Sequence, residues 1–163
     1  RFTWTNWSKG KVIKHEKNLW QGEHDSYKPV SHKRTVMSLG DDRWLVIDRL
    51  NAKESHHYAL HWLLADFPFV QKDDSILLSL DEMKCKVQVG ITKGSGNFSL
   101  VRADDDSARG WRSRYYAHKE PAISVMLEAN QPQVTFWSFF GSEGDMIEVE
   151  ENILDVNGLQ IKI

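Results

Sequence analysis

The stretch of sequence that decides the fold is residues 22–64, GEHDSYKPVSHKRTVMSLGDDRWLVIDRLNAKESHHYALHWLL. Its most apolar segment is the run WLVI at residues 44–47, which lies between the turn-forming residues 40–42 and the polar residues 48–49. An apolar run of this length between turn residues indicates a β-strand that is buried on both faces. We therefore expect this strand to lie centrally, with layers of structure above and below it.

The segment before this run predicts its partner strand. Residues 32–39 are strand-like, and residues 40–42 (Gly-Asp-Asp) supply a short polar turn before the apolar run. Two strands joined in this way predict a β-hairpin. We expect Asp48 to mark the point where the second strand leaves the core, with its carboxylate held by a hydrogen bond, by Arg49 or by a nearby histidine.

Short strand candidates recur along the rest of the chain, with almost no helical periodicity. They lie at residues 12–13, 76–80, 86–91, 98–101, 123–127, 134–140, 146–149 and 159–163. Residues 66–74 and 102–109 are typical of loops, residues 130–132 (Asn-Gln-Pro) predict a turn, and residues 157–158 (Asn-Gly) predict a hairpin turn. This pattern predicts an all-β chain, built as an antiparallel β-sandwich or as layered β-sheets.

Composition narrows the classes of function. The 163 residues are enough for one domain with a real core, and 40% hydrophobic and 27% charged residues are ordinary for a globular protein. The net charge of −2 comes without a basic block, which argues against nucleic acid as a partner. No apolar run approaches the roughly 18 residues of a membrane span, so we expect no membrane span. The single cysteine, Cys85, excludes an internal disulfide.

Five segments, taken in order, resemble a known family. GEHDSY (22–27) is similar to a small-acidic-H-D-G-Y element, with Ser26 in place of the usual glycine. SHKRTV (31–36), RWLVID (43–48) and HHYALHWLL (56–64) are similar to H-x-R-x-V, W-x-V-x-D and H-x-x-x-x-x-H-L strands. GWRSRYYAHKEPA (110–122) is similar to G-W-x-S-x-x-Y-G-x-K-x-P-A, with Tyr116 where a glycine is usual. The order and spacing of these segments resemble the heparinase II/III-like group of polysaccharide lyases and their relatives.

The resemblance implies that the chain is the C-terminal part of the β-sheet region of such a lyase. Residues 1–163 would then form a single β-sandwich domain of a larger protein, with an α-helical toroid upstream as its partner in the same chain. In the family, the toroid and the H-x-H-A-D and H-N-T segments carry the catalytic residues and, in several members, zinc ligands. Because neither segment occurs here, we assign this chain no catalytic residue, no metal ligand and no cofactor, and zinc only to the full-length parent.

The resemblance also implies a substrate and a location. Such lyases cleave uronate-containing polysaccharides by β-elimination, which requires a neutralised uronate carboxylate, a positioned base and an acid for the leaving oxygen. We therefore expect an anionic polysaccharide as the partner of the full-length protein, and the periplasm or the extracellular space as its location. The alternative is a noncatalytic β-sandwich module that binds carbohydrate or has a structural role.

A small set of side chains is suited to contact such a substrate. His24 and Tyr27 lie in a loop-like segment, and Arg34, Arg112 and Arg114 can pair with carboxylates or sulfates. The alternative for these residues is structural: surface charge, or a hydrogen bond that tethers a loop. Tryptophans can stack on sugar rings, but those within strand patterns are expected in the core (Trp44, Trp62 and Trp137), whereas those near the start are freer to contact a ligand (Trp4, Trp7 and Trp20).

Residues 54–67 are open to two interpretations. As an amphipathic helix they would place His57 and His61 four residues apart on one face, a spacing that suits a metal ion. As a strand they alternate, and the two histidines lie about 13 Å apart at roughly 3.3 Å per residue, too far to share one ion. The resemblance favours the strand, in which these histidines occupy a half-exposed sheet face.

Overall fold

The structure, a computed structural model, describes residues 9–163. Trp4 and Trp7 therefore lie outside the described residues. The strands are β1 (Gly10–Glu16), β2 (Leu19–Tyr27), β3 (Val30–Gly40), β4 (Arg43–Leu64), β5 (Phe69–Lys72), β6 (Ser75–Leu80), β7 (Met83–Ile91), β8 (Asn97–Arg102), β9 (Trp111–Arg112), β10 (Glu120–Pro121), β11 (Ile123–Ser142), β12 (Ile147–Glu150), β13 (Ile153–Val156) and β14 (Leu159–Lys162). The prediction of an all-β chain is confirmed. Within residues 9–163 we find no helix with the length and apolar character needed to cross a membrane.

The strands form one large and two small antiparallel sheets. The main sheet has the order β1-β2-β3-β4-β11-β7-β6-β5, and β8 pairs with the first part of β11. Strands β12, β13 and β14 form a three-stranded sheet, and β9 pairs with β10. Sequential neighbours pair almost throughout, and the exceptions are the pairings that β11 makes with β4, β7 and β8.

Turn chemistry accounts for the predicted hairpins. Asp41 and Asp42 join β3 to β4 with φ angles of 48° and 57°, and Asn157 and Gly158 join β13 to β14 with 53° and 86°. Positive φ at both turn residues matches the right-handed twist of the flanking strands, and Asp, Asn and Gly tolerate it best. Both hairpin predictions are confirmed. The predicted loop over residues 66–74 is wrong in part, because residues 69–72 form the edge strand β5, paired with β6.

Two predictions of separate strands are also wrong. The strand candidates at residues 44–47 and 56–64 belong to the single 22-residue strand β4, and those at 123–127 and 134–140 belong to the 20-residue strand β11. The turn predicted at residues 130–132 is instead an irregularity in the ladder, where the register shifts between Gln131 and Gln133. Pro132 has no N–H to donate to a ladder, so it is tolerated at such a bulge without ending the strand.

This irregularity folds the main sheet back on itself. Tyr58 and Leu60, in the second half of β4, share one core with Ile76 of β6 and Val89 of β7. The Trp62 indole N–H donates a 2.8 Å hydrogen bond to Ser138 Oγ, which lies in the second half of β11. The second half of β4 and the first half of β11 therefore form a layer over the rest of the sheet.

The three-stranded sheet covers the opposite face. Leu45 and Ile47 of β4 pack with Trp137 and Phe139 of β11 against residues of β13, namely Leu154 and Val156. Residues 45–48 are all buried, which confirms the prediction of a strand covered on both sides. The prediction that Trp44 lies in the core is wrong, because its side chain is 46% exposed at the start of β4, beside the turn. Trp137 is buried, as expected, and Trp62 is half-buried.

One carboxylate ties the small sheet to the main sheet. Asp145 is buried, and its Oδ1 accepts hydrogen bonds from Arg43 Nε (2.9 Å) and Asn157 Nδ2 (2.7 Å), while its Oδ2 accepts one from the Ser142 backbone N–H (2.6 Å). Burial alone would raise the pKa of Asp145, but these donors outweigh it and lower the pKa. The carboxylate thus joins the start of β4, the end of β11 and the β13–β14 turn.

We expect Ile47→Ala to lower the free energy of unfolding by about 2–5 kcal/mol, because it removes a side chain that is buried between two layers and leaves a cavity. Chemical denaturation measures the difference. The matched control is Val70→Ala on the edge strand β5, where the side chain is 67% exposed, and it should stay within about 0.5 kcal/mol of the wild type. Equal losses in the two variants would contradict the two-sided core.

Candidate functional site

Four polar side chains from three neighbouring strands meet on one face of the main sheet. His24 of β2 lies opposite His32 of β3, and Arg34 of β3 lies opposite Asp48 of β4. Directly opposed residues of antiparallel strands point to the same face, and residues two apart on a strand share it. The register therefore brings His24, His32, Arg34 and Asp48 together at the end of the core, and we refer to these four residues as the polar cluster.

Asp48 is the buried centre of the polar cluster. Its Oδ1 accepts a 2.6 Å hydrogen bond from Arg34 Nε and lies 2.6 Å from His32 Nε2, and its Oδ2 accepts a 3.0 Å bond from Arg34 Nη2. Burial on its own would raise the pKa of this carboxyl, but the bonds from His32 and Arg34 outweigh that effect and lower it. Asp48 is therefore held as a carboxylate. The expectation that a histidine holds it is confirmed, whereas Arg34 takes the part expected of Arg49.

The two histidines form a directed chain from Asp48 to the surface. His32 donates from Nε2 to the carboxylate, and its Nδ1 lies 2.9 Å from His24 Nε2, so the two rings share a hydrogen bond. His24 Nδ1 in turn accepts a 3.4 Å bond from the Ser26 backbone N–H. All four ring nitrogens thereby lie within hydrogen-bond distance of a partner. Burial, followed by the neighbouring His32, lowers the pKa of His24, with Arg34 acting in the same direction and Asp25 opposing them.

Aromatic rings border the polar cluster on two sides. The Arg34 guanidinium carbon lies 5.7 Å from the centre of the Trp62 ring, within the range of a cation–π contact. The Tyr27 ring meets His24 edge-on, with ring centres 5.0 Å apart, and is 62% exposed. Since the Trp62 indole is fixed by its bond to Ser138, the Arg34 side chain is clamped between Trp62 and Asp48.

A cleft of about 330 Å³ opens beside the polar cluster. Strands β1, β2 and β3 line it with Gly10, Lys11, Val12, Trp20, Gly22, Glu23, His24, His32 and Arg34. This volume is at the lower end of the range for small-molecule sites, roughly 300–1,000 Å³. The Arg34 side chain is 40% exposed, so part of its donor-only guanidinium is available to an anionic group. The arrangement is suited to binding a carboxylate or sulfate, because Asp48 fixes a guanidinium that remains partly exposed.

The structure brings three of the five predicted binding residues together and places the other two elsewhere. His24, Tyr27 and Arg34 belong to or contact the polar cluster, whereas Arg112 and Arg114 both bond to Glu120 Oε1, the latter at 2.5 Å. Within residues 9–163, no recorded contact joins these two arginines to the polar cluster. The Glu120 carboxylate therefore accepts hydrogen bonds from both guanidinium groups, in the segment that contains β9 and β10.

His57 and His61 belong to the extended strand β4, which resolves the ambiguity over residues 54–67 in favour of the strand. His57 Nε2 lies 3.0 Å from Glu128 Oε1, and His61 Nε2 lies 2.7 Å from the buried Ser124 Oγ. The two histidines thus have separate partners on β11. No group of three or more His, Cys, Asp or Glu side chains among residues 9–163 is arranged to hold a metal ion, so the residues that the structure describes do not fit a zinc site.

The sequence named Trp20 as free to contact a ligand, and Trp20 lines the cleft, but sequence reasoning did not find the part that Gly22 and Trp62 play in this site. The signal that was available is alternation: Trp20, Gly22 and His24 are two residues apart, as are His32 and Arg34. The sequence alone does not give the register between strands, and the register decides which side chains of neighbouring strands lie next to each other.

Comparisons with known proteins agree with this architecture. The family model described as heparinase II/III-like, C-terminal, matches residues 1–149. A heparinase III structure is similar with a TM-score of 0.76 and 14% identity, over 94% of this chain and 27% of that chain. A heparinase III that is the BT4657 gene product gives 0.73 and 17% over 95% and 28%. The heparan sulfate lyase HepC from Pedobacter heparinus gives 0.72 and 18% over 95% and 27%.

At these identities the solved structures show a shared fold alone. The chain spans little more than a quarter of the length of each. No curated protein matches the sequence.

Asp48→Asn should lower the free energy of unfolding by about 1.5–3 kcal/mol, because the amide at this buried position cannot accept all the hydrogen bonds that Arg34 and His32 give to the carboxylate. Chemical denaturation near neutral pH is the measurement. The matched control is Asp66→Asn, which breaks a similar two-bond pairing with Arg102 at a more exposed position and should cost about 1 kcal/mol or less. A small loss for Asp48→Asn would show that the polar cluster does not anchor β3 to β4.

The lowered pKa of His24 predicts a pH dependence of stability. The unfolded histidine titrates near 6.5 and the folded one below that value, so the unfolded chain binds more protons in this range and stability rises with pH. The contribution is complete above about pH 6.5 and is lost as the pH falls towards the folded pKa. His24→Gln should therefore make the decline in unfolding free energy between about pH 7 and pH 5 shallower. An unchanged decline would show that the pKa of His24 is not lowered by folding.

Proposed function

Because the chain belongs to the heparinase II/III-like C-terminal family, we propose that it is the C-terminal β region of a polysaccharide lyase. The full-length protein would cleave a uronate-containing anionic polysaccharide by β-elimination. The observation that carries this proposal is the family match over residues 1–149, supported by the layered β-sheet fold shared with heparinase III structures. An α-helical toroid upstream in the same protein would then supply the other wall of the substrate cleft.

In this proposal the chain binds substrate and the chemistry is performed elsewhere. The chain contains neither H-x-H-A-D nor H-N-T, the segments that carry catalytic residues in the family. Arg34 is suited to hold a uronate carboxylate or a sulfate through its exposed guanidinium edge. His24 and Tyr27 would complete that contact from the neighbouring strand β2.

Arg112 and Arg114 are proposed as a second, separate contact to the polysaccharide. Glu120 neutralises one of the two positive charges, so the group keeps a net positive charge. The side chain of Arg112 is 32% exposed and that of Arg114 is 61% exposed. An anionic chain that runs across the surface would meet this group at a distance from the polar cluster. Zinc, if the full-length protein uses it, would be held outside the residues described, and the periplasm or extracellular space would be the place of action.

The second candidate function is a noncatalytic module that binds carbohydrate or has a structural role. The absence of the H-x-H-A-D and H-N-T segments from the chain favours this function. Lyase assays on the full-length protein separate the two functions, because β-elimination creates an unsaturated uronate that absorbs ultraviolet light. Full-length protein that binds an acidic polysaccharide without releasing this product would favour the noncatalytic module.

We expect His24→Ala in the full-length protein to raise KM for a uronate polysaccharide while changing kcat by less than about tenfold, because His24 contacts substrate without transferring its proton. Loss of a general base or acid would instead lower kcat by about 10²–10⁴-fold. Steady-state assays of the unsaturated product give both constants. The control is His57→Ala on the exposed face of β4, which should leave both unchanged. A kcat loss of catalytic size for His24→Ala would contradict the proposed division of roles.

A further inference from the structure

The side chain of Trp20 forms one side of the cleft, and it has no part in the arginine contact to the substrate. Trp20 of β2 is 38% exposed and lines the cleft together with Gly22 and Arg34. Its indole lies across the backbone of Gly22: a Cβ placed at Gly22 would come within 2.6 Å of the indole Cη2 and 2.7 Å of Cζ2. Only the absence of a side chain at position 22 lets the ring lie against the strand there.

The register of β2 and β3 places this ring beside the polar cluster. Gly22 lies opposite Arg34, and His24 lies opposite His32, so the indole that covers Gly22 is next to the arginine on the same face. Arg34 Nε and Nη2 are held by Asp48, which fixes the direction of the guanidinium. The cleft therefore has an aromatic surface on one side and an oriented hydrogen-bond donor on the other.

This combination matches the chemistry of one acidic sugar ring. A pyranose presents C–H bonds on its ring face, which pack against an aromatic surface, and polar groups at its rim. Arginine has donors and no acceptor, so the best-matched rim group is a carboxylate. A cleft of about 330 Å³ has room for one such ring rather than for an extended chain.

We propose that Trp20 is the stacking platform of a subsite for a single hexuronate ring, whose carboxylate accepts hydrogen bonds from Arg34. The proposal deepens the proposed function and rests on it for the identity of the sugar. It also gives Gly22 a specific role, because the residue sets the position of the platform without touching the ligand. The competing occupant of the same surface is another part of the full-length protein packed over the indole.

The experiment uses full-length protein labelled with 5-fluorotryptophan and observed by fluorine NMR. A Trp20→Phe variant identifies the Trp20 resonance by its loss. The probe is the methyl glycoside of glucuronic acid, which has no sugar attached at C4 and so cannot undergo the cleavage reaction. We expect the Trp20 resonance to move on titration with the probe while the resonance of Trp44 does not. Trp44 is a fair comparison because it is also exposed, at 46%, and does not line the cleft.

Gly22→Ala tests the platform without removing the ring. The added methyl group forces the indole to shift, so we expect the dissociation constant for the probe, followed at the Trp20 resonance, to rise about tenfold. The control is Gly144→Ala, where a Cβ meets no atom within 4 Å and affinity should be unchanged. Trp20→Ala should raise KM for the polysaccharide by about the same factor, with a much smaller effect on kcat.

The possible outcomes separate this inference from the proposed function. A Trp20 resonance that ignores the probe, or that shows no solvent isotope shift because the rest of the protein covers the indole, overturns the subsite even when the lyase assay succeeds. A resonance that moves with the probe supports the subsite even when no lyase product forms, in which case the lyase assignment fails alone. Equal effects of Gly22→Ala and Gly144→Ala on affinity also overturn the subsite.

Discussion

The continuous antiparallel ladder between β4 and β11 is the constraint on which the rest of the structure depends. Residues 44–51 of β4 pair with the second half of β11, and residues 56–64 pair with the first half. Strand β3 then pairs with β4, and both β7 and β8 pair with β11. Because the ladder bends where Pro132 interrupts its register, one sheet supplies two of the three layers. The two long strands thus determine both the order of the main sheet and the position of its core.

The polar cluster exists because one face of the sheet changes from apolar to polar along β4. Val46 is an apolar residue of that face, and two residues later the same face carries Asp48, which is equally buried. A buried carboxylate is tolerated only where donors replace the water that it loses. Here Arg34 and His32 supply those donors, and His24 extends the chain of bonds to the surface. The same contacts that keep Asp48 ionised therefore also fix the direction in which Arg34 faces the cleft.

Much of the fold was predictable from sequence, because turn residues and strand alternation are local signals. Residues 40–42 and 157–158 predicted the two hairpin turns, and residues 44–47 predicted a strand covered on both sides. The continuity of β4 and β11 was not predictable, since a proline within a polar segment is equally typical of a turn. The strand continues because β4 pairs with β11 on both sides of Pro132, while Pro132 and residues 52–55 of β4 are left out of the register.

The polar cluster escaped prediction for a different reason. A simple two-residue hairpin with Gly40 opposite Arg43 would place Arg34 opposite Arg49. The ladder instead shifts by one residue between Ser38 and Gly40, and Arg34 comes to lie opposite Asp48. A one-residue shift changes every cross-strand pair beyond it. Candidate residues such as His24 and Arg34 can therefore be named from sequence, whereas their partners depend on an irregularity that no local pattern reveals.

The way in which the three-stranded sheet is attached has a consequence for how the protein unfolds. Strands β13 and β14 lie beyond residue 149, and Leu154 and Val156 of β13 cover Leu45 and Ile47. Apolar contacts of this kind and the Asp145 hydrogen bonds hold this layer in place. A partial opening there would uncover a flat apolar sheet face while the rest of the molecule stayed folded, and such faces invite self-association. By holding this layer in place, the Asp145 carboxylate also keeps the apolar face of Leu45 and Ile47 out of contact with a second copy of the chain.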